Sequence, residues 1–158
     1  MLVLIAAAGT GRSPDILVLL GFVVFWCALS CLISLIGGWH ALARRYRARG
    51  PLEGTTFWFV SMLLGQGIRT ASYGGCLFVQ LSEHGIAMVI FPLLRLFHPP
   101  LLIPWSAIAR CQREKLWFRE YTAIYLSNPN TRLLVAGGAG RTIYEIWETD
   151  GSRLATVA

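Results

Sequence analysis

Residues 16–36 read ILVLLGFVVFWCALSCLISLI, a run of 21 residues without charge or proline. As an α-helix the run would be about 31 Å long, at ~1.5 Å per residue, which matches the roughly 30 Å hydrocarbon core of a bilayer. A lone segment inside that core has to be helical, because its backbone must satisfy its own hydrogen bonds. The run therefore predicts a single transmembrane helix over residues 16–37, near the N-terminus.

A buried helix of a soluble protein and a cleaved signal peptide are the two alternatives to this span. Buried helices rarely run this long without a polar face. A signal peptide is disfavoured because Met1–Thr10 has no basic region and the apolar run is too long. The composition agrees with a span, since 55% of the residues are apolar and only 14% are charged.

Positive charge lies on one side of the predicted span. Twelve Arg and one Lys follow it against seven acidic residues, whereas Arg12 and Asp15 cancel before it. The positive-inside rule then predicts residues 1–15 as a short extracytoplasmic N-terminus and residues 38–158 in the cytoplasm. We therefore expect a single-pass protein of the plasma or inner membrane.

Residues 38–53 are predicted to be a basic amphipathic juxtamembrane linker. Apolar residues recur at helical spacing from Trp39 to Tyr46, and arginines occupy the other faces. Such a helix can lie in the headgroup layer; the alternative is a solvated linker that only sets the topology. With two residues of a later apolar loop, the first hypothesis gives a lipid-surface set: Trp39, Arg44, Arg45, Tyr46, Arg47, Arg49, Leu94 and Phe97.

Ser30, Ser34 and Gly38 are spaced by four and share one side of the span. Small residues at this spacing let membrane helices approach closely. The stripe predicts helix association, either as a homodimer or with a membrane protein partner. The alternative is chance, because small residues are common in spans.

From residue 54 the periodicity becomes strand-like. Segments such as CLFVQLS at 76–82 alternate between two faces, and turn residues separate them. Glycines near residues 65–75 predict turns or bulges, and a short helix is predicted over Arg141–Glu148. We expect an α+β chain in which residues 54–148 form a mainly antiparallel β domain with a C-terminal helix, followed by a tail at 149–158.

Residues 86–108 could be mistaken for a second span. They contain Arg95 and three prolines, which are costly inside a membrane helix. We predict strand, loop and strand instead. The apolar loop LLRLFHPPLL at 93–102 then either packs on the core or dips into the membrane surface beside the anchor.

A strand–turn–strand, SEHGIAMVI at 82–90, is followed by LLIPWSAIARC at 101–111. This order resembles the bacterial pleckstrin-homology-like (PH-like) domains of small membrane-anchored proteins, in which a hydrophobic-Pro-Trp-x-x-Ile element often follows a hairpin. The resemblance covers roughly Gly54–Trp147. It implies a partly closed barrel that acts as a scaffold or binding module without catalytic residues. Lipid-binding relatives place several basic residues in the first hairpin loop, where Gln66–Arg69 offers one, so specific phosphoinositide binding is not expected.

Motifs for catalysis, metal or cofactors are not recognised in the sequence. The four cysteines lack metal-ligand spacing, and the glycine-rich 137–141 lacks the GK[ST] of a phosphate loop. Ser82-Glu83-His84 are strand neighbours that face opposite ways and cannot form a relay. A basic run from Arg110 to Arg119 is either a patch for RNA or anionic lipid or, the reading we favour, a solvated strand face.

The predicted function is a membrane-tethered, non-enzymatic adaptor or scaffold with a protein partner in the membrane or the cytoplasm. The alternative is a module that binds anionic lipid through the juxtamembrane arginines and the apolar loop. An enzyme would need convergent polar groups that the sequence does not display. We expect no catalytic residue, no metal, no cofactor and no nucleic-acid partner.

Overall fold

A computed structural model of the chain describes residues 12–50, 53–66, 69–116 and 118–151. Within these residues two helices come first, then seven strands, then a C-terminal helix that continues into a π-helical turn. The helices are α1 (Arg12–Ile36), α2 (Trp39–Tyr46) and α3 (Gly137–Ile146), with the π turn at Trp147–Gly151. The strands are β1 (Thr55–Gln66), β2 (Arg69–Ser82), β3 (Gly85–Ile90), β4 (Leu101–Pro104), β5 (Ile108–Leu116), β6 (Arg119–Leu126) and β7 (Thr131–Ala136).

Helix α1 is long and apolar enough to cross a membrane over Asp15–Ile36. Its large apolar side chains are exposed from Ile16 to Phe25, as expected for a helix surrounded by lipid. Burial begins only in its C-terminal half, where Ser30 and Ser34 are covered. The helix starts at Arg12, four residues before the apolar run, so it includes the end of the predicted N-terminus 1–15. Residues 1–11 of that segment lie outside the described residues.

The seven strands form one antiparallel sheet in the order β4-β3-β2-β1-β7-β6-β5, curled into a half-barrel. The β1–β4 and β5–β7 meanders join where Met62, Leu63 and Leu64 pair with Val135, Leu134 and Leu133. Along β2, Leu77, Val79 and Leu81 face the core and Phe78 and Gln80 face outward, as the alternation predicts. The predicted antiparallel β domain with a C-terminal helix is confirmed.

One prediction on the glycines is confirmed and one is corrected. The register of β1 against β2 shifts between the Val60–Leu77 and Met62–Tyr73 pairs, so Gly75 lies in a bulge of β2, as predicted. Gly65, in contrast, lies inside β1 in regular pairing with Thr70. Helix α3 begins at Gly137, so the glycine run is its first turn and not a loop before it. Packing explains this start: a Cβ at Gly140 would clash with the carbonyl of Val135.

Residues 86–108 form strand, loop and strand, as predicted. β3 and β4 pair through four consecutive residues of each strand. The connecting loop holds one turn of 3-10 helix at Pro92–Leu94 and a tight turn before His98. We name residues 91–100 the tip loop.

The predicted amphipathic helix after the span is confirmed as α2, but its apolar face is part of the β-domain core. Trp39 and Leu42 are fully buried and Tyr46 nearly so. The Trp39 indole donates to the carbonyl of Pro99 (3.0 Å), and the Tyr46 hydroxyl donates to the carbonyl of Asn128. Since only Gly37-Gly38 separates α1 from α2, the packing of α2 connects α1 to the β domain without a long linker.

Leu42→Ala is expected to lower the free energy of unfolding by about 2–5 kcal/mol, because it leaves a cavity between α2 and the sheet. The matched control is His40→Ala, an exposed position on the same helix, which should change it by no more than about 0.5 kcal/mol. Denaturant unfolding of the full chain in mild detergent measures both. Equal midpoints for the two variants would mean that α2 is not docked.

Candidate functional site

Two hydrogen bonds and one close packing contact join the end of α1 and the start of α2 to the β domain. The Ser34 hydroxyl donates to the carbonyl of Phe97 at 2.7 Å, and the Trp39 indole reaches Pro99 in the same loop. Gly37 packs against Ala71 of β2 so closely that an added Cβ would clash with the Ala71 Cβ. The junction therefore holds the tip loop and β2 against the last turn of α1.

This geometry argues against the predicted use of the small-residue stripe Ser30, Ser34 and Gly38 for association with a second helix. Ser30 and Ser34 are 7% and 1% exposed, and the tip loop of the same chain covers Ser34. A Cβ at Gly38 would meet open space, and Gly38 is needed for its φ of 80° instead. Close approach is made within the chain, at Gly37, so a second helix could use the Ser34 face only by displacing the tip loop.

The predicted lipid-surface set contains both buried and exposed residues in the structure. Trp39 and Tyr46 belong to the core and cannot lie among headgroups, because the β domain lies close enough to bury the apolar face of α2. Leu94 is half-buried against the same core, whereas Phe97 is 52% exposed. The remaining members are exposed on or just after α2: Arg44, Arg45, Arg47 and Arg49.

His98 fixes the base of the tip loop and was not predicted to have any role. It is 4% exposed, and its ring lies against Trp39 and Tyr73, with centroids 5.5 and 5.7 Å away. Its Nδ1 is 2.8 Å from the carbonyl of Leu96, and its Nε2 is 3.4 Å from the Tyr73 hydroxyl. Burial lowers the pKa of His98 below its ordinary value of 6.5, so the neutral ring is favoured.

A cavity of about 580 Å³ lies between a bulge of β1, the strands β5 and β6 and the start of α3. At its rim the bulge exposes Trp58 and Phe59, which are 66% and 65% accessible. Phe59 has a φ of 55°, and both rings pack edge-on against Phe78, with centroids 4.9 and 5.9 Å away. We name this cavity the aromatic–arginine pocket.

Three exposed arginines give the pocket its charge: Arg113, Arg119 and Arg141. The Arg113 guanidinium lies 4.6 Å from the centroid of the Tyr144 ring, which orients it. Glu120 also lines the pocket, but its single negative charge does not balance the three arginines, so the net charge of the lining stays positive. Arginine and exposed aromatic rings are the residues that most often dominate binding at protein interfaces.

The sequence indicated only part of this pocket. Arg113 and Arg119 belong to the basic run that was read as a solvated strand face, and Arg141 follows the glycines. Trp58 and Phe59 were read as ordinary strand residues, because their exposure depends on a bulge. The register of β1 against β2 shifts between Phe57 and Val60 and again between Val60 and Met62. The glycines at 74–75 indicated the second shift, but no local pattern signals the first, which exposes Trp58 and Phe59.

A second cavity, of about 880 Å³, lies beside the β2–β3 turn that carries Ser82, Glu83 and His84. The Ser82 hydroxyl donates to the carbonyl of Gly85 at 3.3 Å. Among the described residues no hydrogen bond joins Ser82, Glu83 and His84 to one another. This arrangement gives the serine no general base.

The surroundings of Cys76, Cys111 and Glu114 shift the pKa of each side chain. Burial raises the pKa of the Cys111 thiol to about 12 and also raises that of Cys76, so neither is a ready nucleophile. Burial alone would raise the Glu114 pKa, but hydrogen bonds from Gln112 and Tyr125 and the charge of Arg132 lower it overall. Within residues 12–50, 53–66, 69–116 and 118–151, no group of three His, Cys, Asp or Glu could hold a metal ion.

Comparison with known proteins leaves the family of this chain open. No family model matches it, and no curated protein is significantly similar to it. The PH-like resemblance therefore stays a prediction that rests on its sequence motif.

Gly37→Ala is expected to destabilise the folded chain by about 1–3 kcal/mol, because the new methyl group is forced against Ala71. Gly21→Ala, where a Cβ meets nothing within 4 Å, should be neutral or slightly stabilising. Adding Ala71→Gly to Gly37→Ala should recover part of the loss. Thermal unfolding in mild detergent compares the three, and a harmless Gly37→Ala would contradict the close contact.

Stability should fall as the pH drops through the titration of His98. Because its pKa is lower in the folded chain than its ordinary 6.5, the folded state binds fewer protons there. The stabilisation is complete above about pH 6.5 and is lost as the pH falls towards the folded-state pKa. His98→Gln should flatten this dependence in unfolding measurements, while the exposed-turn control His84→Gln should keep it. An unchanged pH profile in His98→Gln would refute the assignment.

Proposed function

We propose that this chain is a membrane-tethered, non-enzymatic adaptor whose PH-like β domain binds a partner protein in the aromatic–arginine pocket. The observation that carries the proposal is the convergence of two exposed aromatic side chains with three arginines around one cavity. Exposed Trp and Phe side chains are costly in water unless a partner covers them. The pocket therefore fits an acidic segment that carries an apolar anchor residue.

Two features of the fold support a scaffold at the membrane. The seven-strand order with a closing C-terminal helix agrees with the PH-like resemblance. The burial of α2 holds the β domain at the end of α1, so a bound partner would be kept at a defined distance from the bilayer. The arginines after the span support a cytoplasmic domain and an N-terminus outside the plasma or inner membrane.

Site-specific photo-crosslinking in the membranes of the native cell tests the adaptor. Benzoylphenylalanine at Trp58 should yield one discrete protein adduct, whereas the same residue at the exposed turn position His84 should not. Arg113→Glu with Arg119→Glu should reduce the Trp58 adduct at least about tenfold, since a charge-assisted bond contributes ~1.5–3 kcal/mol.

The matched control is Arg44→Glu with Arg45→Glu, which reverses equally exposed charges away from the pocket. It should leave the Trp58 adduct intact. No protein adduct at Trp58, or one that both charge reversals reduce equally, would exclude the pocket as the docking site.

The second candidate is binding of anionic lipid at the membrane surface. It is favoured by the four exposed arginines that directly follow the span, each contributing about 1 kcal/mol near an anionic leaflet. In vesicles of the full chain, brominated phosphatidylglycerol should then quench tryptophan fluorescence more than brominated phosphatidylcholine, and salt should remove the difference. Equal quenching by both lipids at low salt would exclude this candidate.

A further inference from the structure

We propose that the end of the tip loop, Leu96 and Phe97, is inserted among the lipid headgroups beside the inner end of α1. The β domain then contacts the bilayer at a second point, in addition to its connection through the span. This inference rests on the membrane tether of the proposed function and adds a surface whose partner is lipid.

Two hydrogen bonds, from Trp39 and from Ser34, fix how far the loop extends along the axis of α1. Pro99 accepts from Trp39, which lies beyond the end of α1, whereas Phe97 accepts from Ser34, inside α1. From Pro99 back to Phe97 the loop therefore runs along the helix towards the middle of the span. Ser34 is two residues before the end of α1, or about 3 Å along its axis, so the loop reaches the boundary of the apolar run.

The carbonyl groups of the loop are satisfied as a membrane-facing segment requires. Three consecutive carbonyls, at Arg95, Leu96 and Phe97, accept from the His98 amide, the His98 ring and the Ser34 hydroxyl. A loop in water would need no such partners, because water would serve. In the described part of the chain, the amides of Leu96 and Phe97 have no acceptor, which suits the oxygen-rich headgroup layer better than the hydrocarbon core.

The side chains of the loop have the pattern of an interfacial anchor. Leu96 and Phe97 are 46% and 52% exposed although they lie beside the span. Arg95, exposed on the same turn, can reach lipid phosphate while its aliphatic stem lies along the apolar tip. The loop cannot fold back over these groups, because His98 is buried between Trp39 and Tyr73.

Three phenylalanines of the chain offer a matched test of this insertion. Benzoylphenylalanine replaces Phe22, Phe97 or Phe118 in turn, and each full-length variant is reconstituted in vesicles of phosphatidylcholine and phosphatidylglycerol. Phe22 is an exposed side chain of the span, and Phe118, 93% exposed, lies at the β5–β6 turn on the edge of the sheet opposite β4. After irradiation, lipid adducts are counted by mass spectrometry of the intact protein.

We expect lipid adducts at Phe22 and Phe97, with a yield at Phe97 several-fold above that at Phe118. Adducts at Phe22 without adducts at Phe97 would overturn the insertion and leave the tether standing. Absence of adducts at Phe22 would overturn both. Equal yields at Phe97 and Phe118, or a protein adduct at Phe97 in place of lipid, would also overturn the insertion.

A second measurement covers the case in which the benzophenone disturbs the loop. Leu96→Cys in the same vesicles should react with a membrane-impermeant maleimide several-fold more slowly than Ser106→Cys, an exposed position beyond β4. In denaturant the two rates should become equal, which excludes an intrinsic difference in reactivity. Equal rates in vesicles would place the loop in water and refute the proposal.

Discussion

An amphipathic helix that directly follows a membrane span can bury its apolar face in the headgroup layer or against its own protein. In this chain α2 buries Trp39, Leu42 and Tyr46 in the β-domain core, where the indole and the phenol find carbonyl acceptors. Because only Gly37-Gly38 separates α1 from α2, this burial leaves no free linker. The position of the whole β domain relative to α1 depends on this contact.

The shape of the tip loop follows from the same contact. Trp39 and Tyr73 enclose His98, and His98 in turn binds the carbonyls of the loop from both its ring and its amide. A segment that carries exposed Leu96 and Phe97 is thereby held beside α1. Its apolar tip and the buried imidazole are two consequences of one packing arrangement.

The aromatic–arginine pocket is a separate surface, built where β1 bulges away from β2. Its rim aromatics pack on Phe78 and not on the core, so their exposure does not weaken the half-barrel. An adaptor needs such a surface at a constant position relative to the membrane. The docked α2 supplies that constancy, which links the two proposals physically while leaving their ligands distinct.

Local periodicity in the sequence was enough to predict the long apolar helix, the basic segment after it, the antiparallel strands and the C-terminal helix, because each depends on residues close together in the chain. It also found four of the arginines now exposed near α2 and two of those in the pocket. Tertiary structure alone decided that α2 faces the β domain, that Gly37 and not Gly38 allows close approach, and that Trp58 and Phe59 are exposed. The physical reason is that these outcomes depend on contacts such as Ser34 with Phe97, across 63 residues, which no short window of sequence contains.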